Sequence, residues 1–333
     1  MKYKYLGKTG IQVSELCFGT MSFGANADKD NSRAMYKQVR DAGVNFFDCA
    51  NVYQKGVAEE YLGEFIKGER DDLVIASKGF FPMTDKPNDR GASRKNLTAS
   101  LNSSLKRLQT DYIDIYFIHG FDKNTPIEET LRVLQDFVSQ GKILYIGVSN
   151  FAAWQVSKAM SIAEFKNLTP IHCIQPMYNL TKRQAEVEIL PMAKEENLGV
   201  MTYSPLGAGL LTGKYGPGKA PLSGRLVDNS MYTTRYGGDF YYRVAGEFTR
   251  IAEKRGIHPA SLAVAWAASH PVVTTPIIGA GNPEQLLPSL KSVDIVVDNE
   301  LKAEIDKISP PPPPSTDRTE EQTKFNYGAM LQK

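Results

Sequence analysis

Short apolar runs alternate with longer amphipathic stretches along most of the chain, and the alternation repeats eight times. The short runs predict strands at 16–20, 45–48, 73–78, 112–118, 144–149, 173–175, 199–203 and 275–278. The amphipathic stretches predict helices at 32–42, 57–66, 93–108, 127–140, 152–165, 183–197, 240–255, 259–269, from 283 onward, and at 299–308. Because helices would cover both faces of every strand, the pattern predicts an α/β fold, a closed (β/α)8 TIM barrel.

Two segments add to this plan. Residues 2–13 contain two short strands around a turn at Gly7–Gly10 and predict a β-hairpin. After the predicted seventh strand, residues 204–239 are rich in Gly, Pro, Ser and Tyr. Structureless loops of this length are uncommon and are usually functional or disordered, so we expect a functional loop here.

Polar side chains stand at the carboxyl ends of several predicted strands. In a parallel barrel these ends meet at one rim, where the chemistry of such barrels takes place. Each residue alone is more often a cap, a packing residue or a solvated strand end, but their shared position at one rim favours a catalytic site. The residues are Asp48, Tyr53, Lys78, His119, Ser149, Asn150 and Gln175.

Residues 43–63, GVNFFDCANVYQKGVAEEYLG, resemble the aldo-keto reductase family in the pattern of Gly, four residues, Asp, four residues, Tyr, and a later Glu and Gly. Lys78 and His119 stand where the resemblance implies the rest of a catalytic tetrad with Asp48 and Tyr53. The resemblance extends from Leu6 to about Leu290. It implies the reversible, NAD(P)H-dependent reduction of an aldehyde or ketone to an alcohol, and a hairpin that closes the bottom of the barrel.

The tetrad suits this chemistry. Tyr53 would donate the proton to the carbonyl oxygen, and Lys78 would bring the phenol pKa down from its usual ~10. Asp48 would pair with Lys78 and balance its burial, and a neutral His119 would orient the substrate oxygen. Aromatic residues that follow strand ends are candidates for a substrate pocket, with simple packing as the other interpretation: Phe23, Phe80, Phe81, Phe121 and Trp154.

The resemblance also implies a nicotinamide dinucleotide site. Ser149, Asn150 and Gln175 would bind the carboxamide, and Tyr203 would stack on the ring. The remaining implied contacts, mostly to the pyrophosphate and the adenosine, are Thr20, Ser204, Leu206, Gly209, Lys214, Arg225, Gly279, Gly281, Gln285 and Ser289. No GxGxxG follows an early strand, which disfavours a Rossmann domain.

The choice of nucleotide rests on two departures from the family pattern. Gly281 stands where many members carry an Arg, Lys or Ser for the 2′-phosphate, and Ser289 replaces a common Asn. Loss of an Arg–phosphate contact removes a charge-assisted hydrogen bond. We therefore expect NADP(H) as the cofactor, with NAD(H) as an alternative.

Composition limits the other classes. The 333 residues have a net charge of +2 without a Lys/Arg stripe, so a nucleic-acid partner is not expected. The three cysteines lack metal or CxxC spacing, the N-terminus has no apolar signal core, and residues 262–268 are too short to cross a bilayer. We expect a cytoplasmic protein that acts on a small carbonyl compound and has no membrane partner. The sequence does not predict the oligomeric state of the protein.

Two alternatives remain. The resemblance extends to potassium-channel β subunits, which would bind cofactor with little turnover. A metal-dependent hydrolase is disfavoured because the four histidines have neither HxH nor HExxH spacing.

We predict a barrel at 1–309 and a separate tail at 310–333, which begins with the five prolines 310–314. That run is a spacer or an SH3-type ligand, and the tail either covers the barrel mouth or is disordered.

Overall fold

The computed structural model describes residues 1–219 and 221–324 and contains a closed eight-stranded parallel barrel. Two short strands precede it as an antiparallel hairpin, β1 (Tyr3–Tyr5) and β2 (Gln12–Ser14). The barrel strands are β3 (Cys17–Gly19), β4 (Phe46–Asp48), β5 (Val74–Gly79), β6 (Ile113–Ile118), β7 (Ile143–Ser149), β8 (Cys173–Gln175), β9 (Gly199–Thr202) and β10 (Thr275–Ile278). Each pairs with the next in chain order, and β10 pairs with β3. The predicted barrel is confirmed.

The hairpin closes the N-terminal end of the barrel. Leu6 is fully buried, and a Cβ placed on Gly199 at the start of β9 would lie 2.5 Å from its Cδ1. Tyr145, near the start of β7, donates a hydrogen bond from its hydroxyl to the Thr9 carbonyl at 2.7 Å. Because the hairpin fills this end, the rim at the carboxyl ends of the strands remains as the open face.

Helices surround the barrel much as the periodicity predicts. They are α1 (Lys29–Asp41), α2 (Val57–Phe65), α3 (Arg94–Leu108), α4 (Ile127–Ser139), α5 (Ala153–Phe165), α6 (Ile189–Glu195), α7 (Arg225–Asp228), α8 (Ser230–Tyr236), α9 (Asp239–Lys254), α10 (Pro259–Ser269), α11 (Pro283–Leu290) and α12 (Asn299–Ile308). Helix α1 begins earlier than predicted because Asp28 caps it, its side chain accepting from the Asn31 amide at 2.8 Å.

The predicted helix at 183–197 is shorter in the structure. A 3-10 turn spans Gln184–Glu186, and α6 begins only at Ile189. Pro191 is tolerated only in the first turn of a helix, because its ring and missing N–H disrupt a helix interior. The proline therefore sets where this helix can begin.

The segment at 204–239 is not structureless. It contains a 3-10 stretch at Gly207–Thr212 and the two short helices α7 and α8. The Asn179 side-chain amide donates to the Ser204 carbonyl at 3.0 Å and to the Tyr236 hydroxyl at 3.1 Å. These bonds fasten both ends of the segment to the loop after β8, beside the open rim.

The apolar core has two parts. Residues such as Leu6, Phe46 and Phe117 fill the barrel interior, and a larger layer lies between the strands and the surrounding helices.

Among the helices of residues 1–219 and 221–324, none combines the length and apolar character needed to cross a bilayer. The predicted tail, 310–333, is described as far as residue 324 and contains a 3-10 turn at Thr319–Gln322. Residues 325–333 lie outside the described residues, and the boundary at 309 stays a prediction.

Candidate active site

Lys78 lies at the centre of the polar rim. Its side chain is fully buried, and its ammonium donates to both Asp48 carboxylate oxygens at 2.6 and 2.7 Å and to the Cys49 carbonyl at 2.8 Å. The Tyr53 hydroxyl accepts a longer hydrogen bond from it, at 3.3 Å. Strand register explains why Asp48 and Lys78 lie side by side, since Asp48 ends β4 and Lys78 lies one residue before the end of the adjacent β5. The structure thus brings these three tetrad residues together.

The charges of this group depend on burial and on one another. Burial alone lowers the pKa of Lys78, but Asp48 and the hydrogen bonds outweigh it and hold the pKa above its usual value. Burial raises the pKa of the Tyr53 phenol, and the Lys78 ammonium only opposes that rise. The expectation of a lowered phenol pKa is therefore wrong in its net direction. At neutral pH Tyr53 is a protonated phenol beside a cation.

His119 completes the tetrad from the end of β6. Its ring centre lies 6.1 Å from that of Tyr53, edge to face, and 4.8 Å from that of Phe81. Burial and the nearby Lys78 charge lower its pKa well below the usual value. At neutral pH the imidazole is therefore uncharged, as predicted.

A chain of hydrogen bonds joins the tetrad to the residues expected to hold the nicotinamide. The Gln175 amide donates to Asp48 at 2.8 Å, and the Ser149 hydroxyl donates to the Gln175 carbonyl at 2.9 Å. The Asn150 amide donates to Ser149 at 3.2 Å, and the Tyr203 hydroxyl donates to Asn150 Oδ1 at 2.7 Å. Within the described residues, Gln175 uses one of its two amide hydrogens in this chain. A carboxamide ligand therefore fits here.

The residues expected near the pyrophosphate follow β9. Ser204 has a left-handed backbone, with φ of 62°, and Gly209 has φ of 97° with no atom closer than 3.9 Å to an added Cβ. Leu206 is half-buried between them, and the side chain of Lys214 is exposed. Arg225 lies over the Tyr232 ring at 5.9 Å. The open space around Gly209 and the two cations suit a diphosphate.

The residues expected near the adenosine follow β10. Gly279 lies at the rim next to Gly19, and Gly281 donates its amide to Gln285 Oε1 at 3.2 Å. Ser289 differs from the expectation of a nucleotide contact, because its side chain is fully buried on α11 and its hydroxyl has no partner among the described residues. Thr20 is also buried and donates its hydroxyl to the Asp48 carbonyl at 3.1 Å. In this structure both side chains are turned into the protein.

The aromatic candidates divide into two groups. Phe23 is fully buried and packs on Phe18 and Phe65, so it belongs to the core and not to a pocket wall. Its ring packs between β3 and α2, a placement that its position in the chain alone does not predict. The other aromatic residues line the open rim in two clusters, Phe80 with Phe81 beside His119, and Phe121 with Phe151 and Trp154.

Several supporting residues are not predicted by the sequence patterns. Asn179 and Tyr236 fasten the loop after β9, yet 57 residues separate them and no spacing pattern connects them. Glu59 and Arg107 form an ion pair at 2.7 Å, and Arg107 lies against Gly56 in the turn that follows Tyr53. Among these residues, only Glu59 has a sequence signal, because it lies within the 43–63 motif. No group of three or more His, Cys, Asp or Glu side chains suited to a metal occurs in the described part of the chain.

Comparison with known proteins agrees with the architecture. The model of the aldo/keto reductase family matches residues 15–310. An uncharacterized oxidoreductase of Bacillus subtilis (strain 168), YrpG, is 38% identical over 326 residues, which cover 94% of this chain and 97% of that protein. Probable voltage-gated potassium channel β subunits of Oryza sativa subsp. japonica and of Arabidopsis thaliana are each 39% identical over 303 residues, or 89% of this chain and 92% of theirs. The chain belongs to the aldo/keto reductase family.

Proposed function

We propose that this protein is an NAD(P)H-dependent reductase that converts an aldehyde or ketone into an alcohol. The observation that carries the proposal is the buried Asp48–Lys78 pair with the Tyr53 hydroxyl 3.3 Å from the ammonium, at the open rim of the barrel. A structural role alone gives no reason to bury a Lys beside a phenol, because desolvating the ammonium costs free energy.

Each tetrad residue has a distinct role in this proposal. When bound, the reduced nicotinamide supplies the hydride. Tyr53 holds the proton for the carbonyl oxygen, and the Lys78 ammonium stabilises the phenolate left after proton transfer. Asp48 keeps Lys78 charged and in place. His119, uncharged, lies edge to face with Tyr53 and orients the substrate oxygen by a hydrogen bond.

The site favours a nicotinamide dinucleotide, with NADP(H) as the first candidate and NAD(H) as the second. Lys214 and Arg225 support binding of the diphosphate. Gly281 offers no side chain to a 2′-phosphate, although an added Cβ there would meet only Gln285 Oε1, at 3.3 Å, and Asn26. The discrimination between the two nucleotides should therefore be small.

The test is the initial rate of NADPH and of NADH oxidation with a panel of aromatic, aliphatic and sugar-like aldehydes. Tyr53→Phe removes only the hydroxyl, so we expect kcat to fall by ~10²–10⁴-fold while the cofactor dissociation constant stays within about twofold. An unchanged rate in Tyr53→Phe would remove Tyr53 as the proton donor. Absence of turnover in the wild type, with cofactor still bound, would refute the reductase function.

A second candidate is a cofactor-binding regulatory subunit with little turnover. It is favoured by the two relatives described as probable channel β subunits, which match this chain over 303 residues each. Tight cofactor binding, no oxidation across the aldehyde panel and a stable complex with a channel subunit would together select it.

A further inference from the structure

Tyr53 opens a turn with an unusual backbone. The 3-10 turn Tyr53–Gly56 contains three consecutive residues with positive φ, namely Gln54 at 48°, Lys55 at 52° and Gly56 at 100°. Left-handed backbone is unfavourable for residues with a Cβ, and it persists only where surrounding contacts enforce it. The side chains of Gln54 and Lys55 are exposed, so they supply few of those contacts.

The enforcing contacts come from α3 and α2. Arg107, in the last turn of α3, lies so close to Gly56 that an added Cβ there would be 2.7 Å from Arg107 Cδ and 2.8 Å from Nε. The Arg107 Nε donates to Glu59 Oε2 at 2.7 Å. Glu59 is fully buried in the first turn of α2, directly after the left-handed turn. The ion pair therefore fixes the exit of the turn.

The same pair reaches the strand that carries Lys78. The second carboxylate oxygen of Glu59 accepts from the Ser77 hydroxyl at 2.5 Å. Ser77 is the neighbour of Lys78 on β5, so one carboxylate connects the Tyr53 turn to the Lys78 strand. The Lys78–Tyr53 distance of 3.3 Å is already near the limit of a hydrogen bond, and a displacement of half an ångström or so breaks it.

We propose that the partly buried Glu59–Arg107 pair is a positioning device that holds the left-handed turn 54–56 and thereby keeps the Tyr53 hydroxyl beside Lys78. Neither residue is catalytic, since their contacts are to Gly56 and Ser77 and not to the reacting groups. The catalytic part of its test rests on the proposed reductase function.

The first variant is Arg107→Leu, which removes the charge and the Nε and Cζ atoms that lie against Gly56. We expect kcat to fall at least tenfold while the cofactor dissociation constant stays within twofold, because the nicotinamide residues lie on other strands. The matched control is Arg70→Leu. Arg70 forms an ion pair of similar burial with Asp114 at 2.7 Å and bonds the Leu73 and Tyr112 carbonyls before β5 and β6, at the closed end. It should lose stability but keep kcat within twofold.

A rescue separates positioning from general stability. Asn adopts left-handed backbone more readily than Gln or Lys do. Adding Gln54→Asn and Lys55→Asn to Arg107→Leu should therefore restore kcat at least threefold. Three results overturn the proposal: unchanged kcat in Arg107→Leu, an equal loss in Arg70→Leu, or no recovery in the triple variant. If Arg107→Leu does not fold, Arg107→Met, which also removes the charge but keeps an unbranched side chain, replaces it in each of these comparisons.

A readout without turnover keeps the proposal independent of the reductase function. In protein labelled with ¹³C-tyrosine, the Tyr53 ring resonance is identified by its loss in Tyr53→Phe. We expect it to shift in Arg107→Leu, to return in the triple variant and to stay in place in Arg70→Leu. If the wild type turns over no carbonyl but the resonance follows this pattern, only the proposed function fails. If the resonance does not move in Arg107→Leu, the positioning role is refuted whatever the activity.

Discussion

The Asp48–Lys78 pair allows a sharp test of what burial does to paired charges. The Lys78 side chain is 0% exposed and that of Asp48 is 4% exposed. Asp48→Asn leaves the ammonium buried without its counter-charge, with the Asn side-chain oxygen, the Cys49 carbonyl and the Tyr53 hydroxyl as neutral acceptors. Removing one charge of a buried pair costs about 3–5 kcal/mol, and because neutral acceptors remain we expect a loss near the lower limit, about 3 kcal/mol.

The converse variant removes the cation. Lys78→Met leaves the Asp48 carboxylate buried with the Gln175 amide as a donor, so a similar loss of about 3 kcal/mol is expected. The double variant removes both charges and fills the space with a side chain of similar length. It should be more stable than either single variant, because no unpaired charge remains buried. The losses are therefore not additive.

The assay is urea unfolding of the four proteins at pH 7, followed by circular dichroism. An unfolding entropy of roughly 2.1 cal/mol/K per residue over the chain means that 3 kcal/mol lowers the Tm by about 4 °C, which calorimetry checks independently. The control is the exposed Arg132–Glu128 pair on α4, where coupling should stay below about 1 kcal/mol. Additive losses at Asp48 and Lys78 would refute the argument that each charge is stable only with its partner.

Three further predictions follow from single contacts. Gly281→Arg should strengthen NADPH binding relative to NADH by roughly 10–100-fold, the value of a charged hydrogen bond, and an unchanged ratio in fluorescence titrations would contradict it. Tyr203→Phe removes the bond to Asn150 and should weaken cofactor binding by roughly 2–12-fold, with calorimetric titration as the check. His119 has a lowered pKa in the native state, so below pH ~6.5 the unfolded state binds one more proton and the free energy of unfolding falls as the pH drops. His119→Gln should reduce this dependence of the unfolding free energy on pH by up to ~1.4 kcal/mol per pH unit, measured by urea unfolding at pH 5–6.5. An unreduced pH dependence would argue against a neutral buried imidazole.

The sequence by itself determined the barrel and the place of its polar rim. Apolar strands that alternate with amphipathic helices leave few architectures open, and strand direction sends Asp48, Lys78 and His119 to one end whatever the details of packing. The sequence also predicts where a helix begins when a local residue sets that limit. Helix α11, for example, is capped by Asn282 and has Pro283 in its first turn. These features depend on neighbours in the chain.

Tertiary packing decided the rest, because it joins residues that are distant in sequence. Phe23 packs against Phe18 and Phe65 and lies in the core, while Phe81, with the same ring, contacts His119. The net direction of the Tyr53 pKa depends on how completely the protein excludes water from the phenol, and no motif records that. The contact of Arg107 with Gly56 spans 51 residues and depends on two helices meeting at one angle. Sequence periodicity defines which face of an element is apolar, but only the assembled barrel decides which polar atoms that face brings within hydrogen-bonding distance.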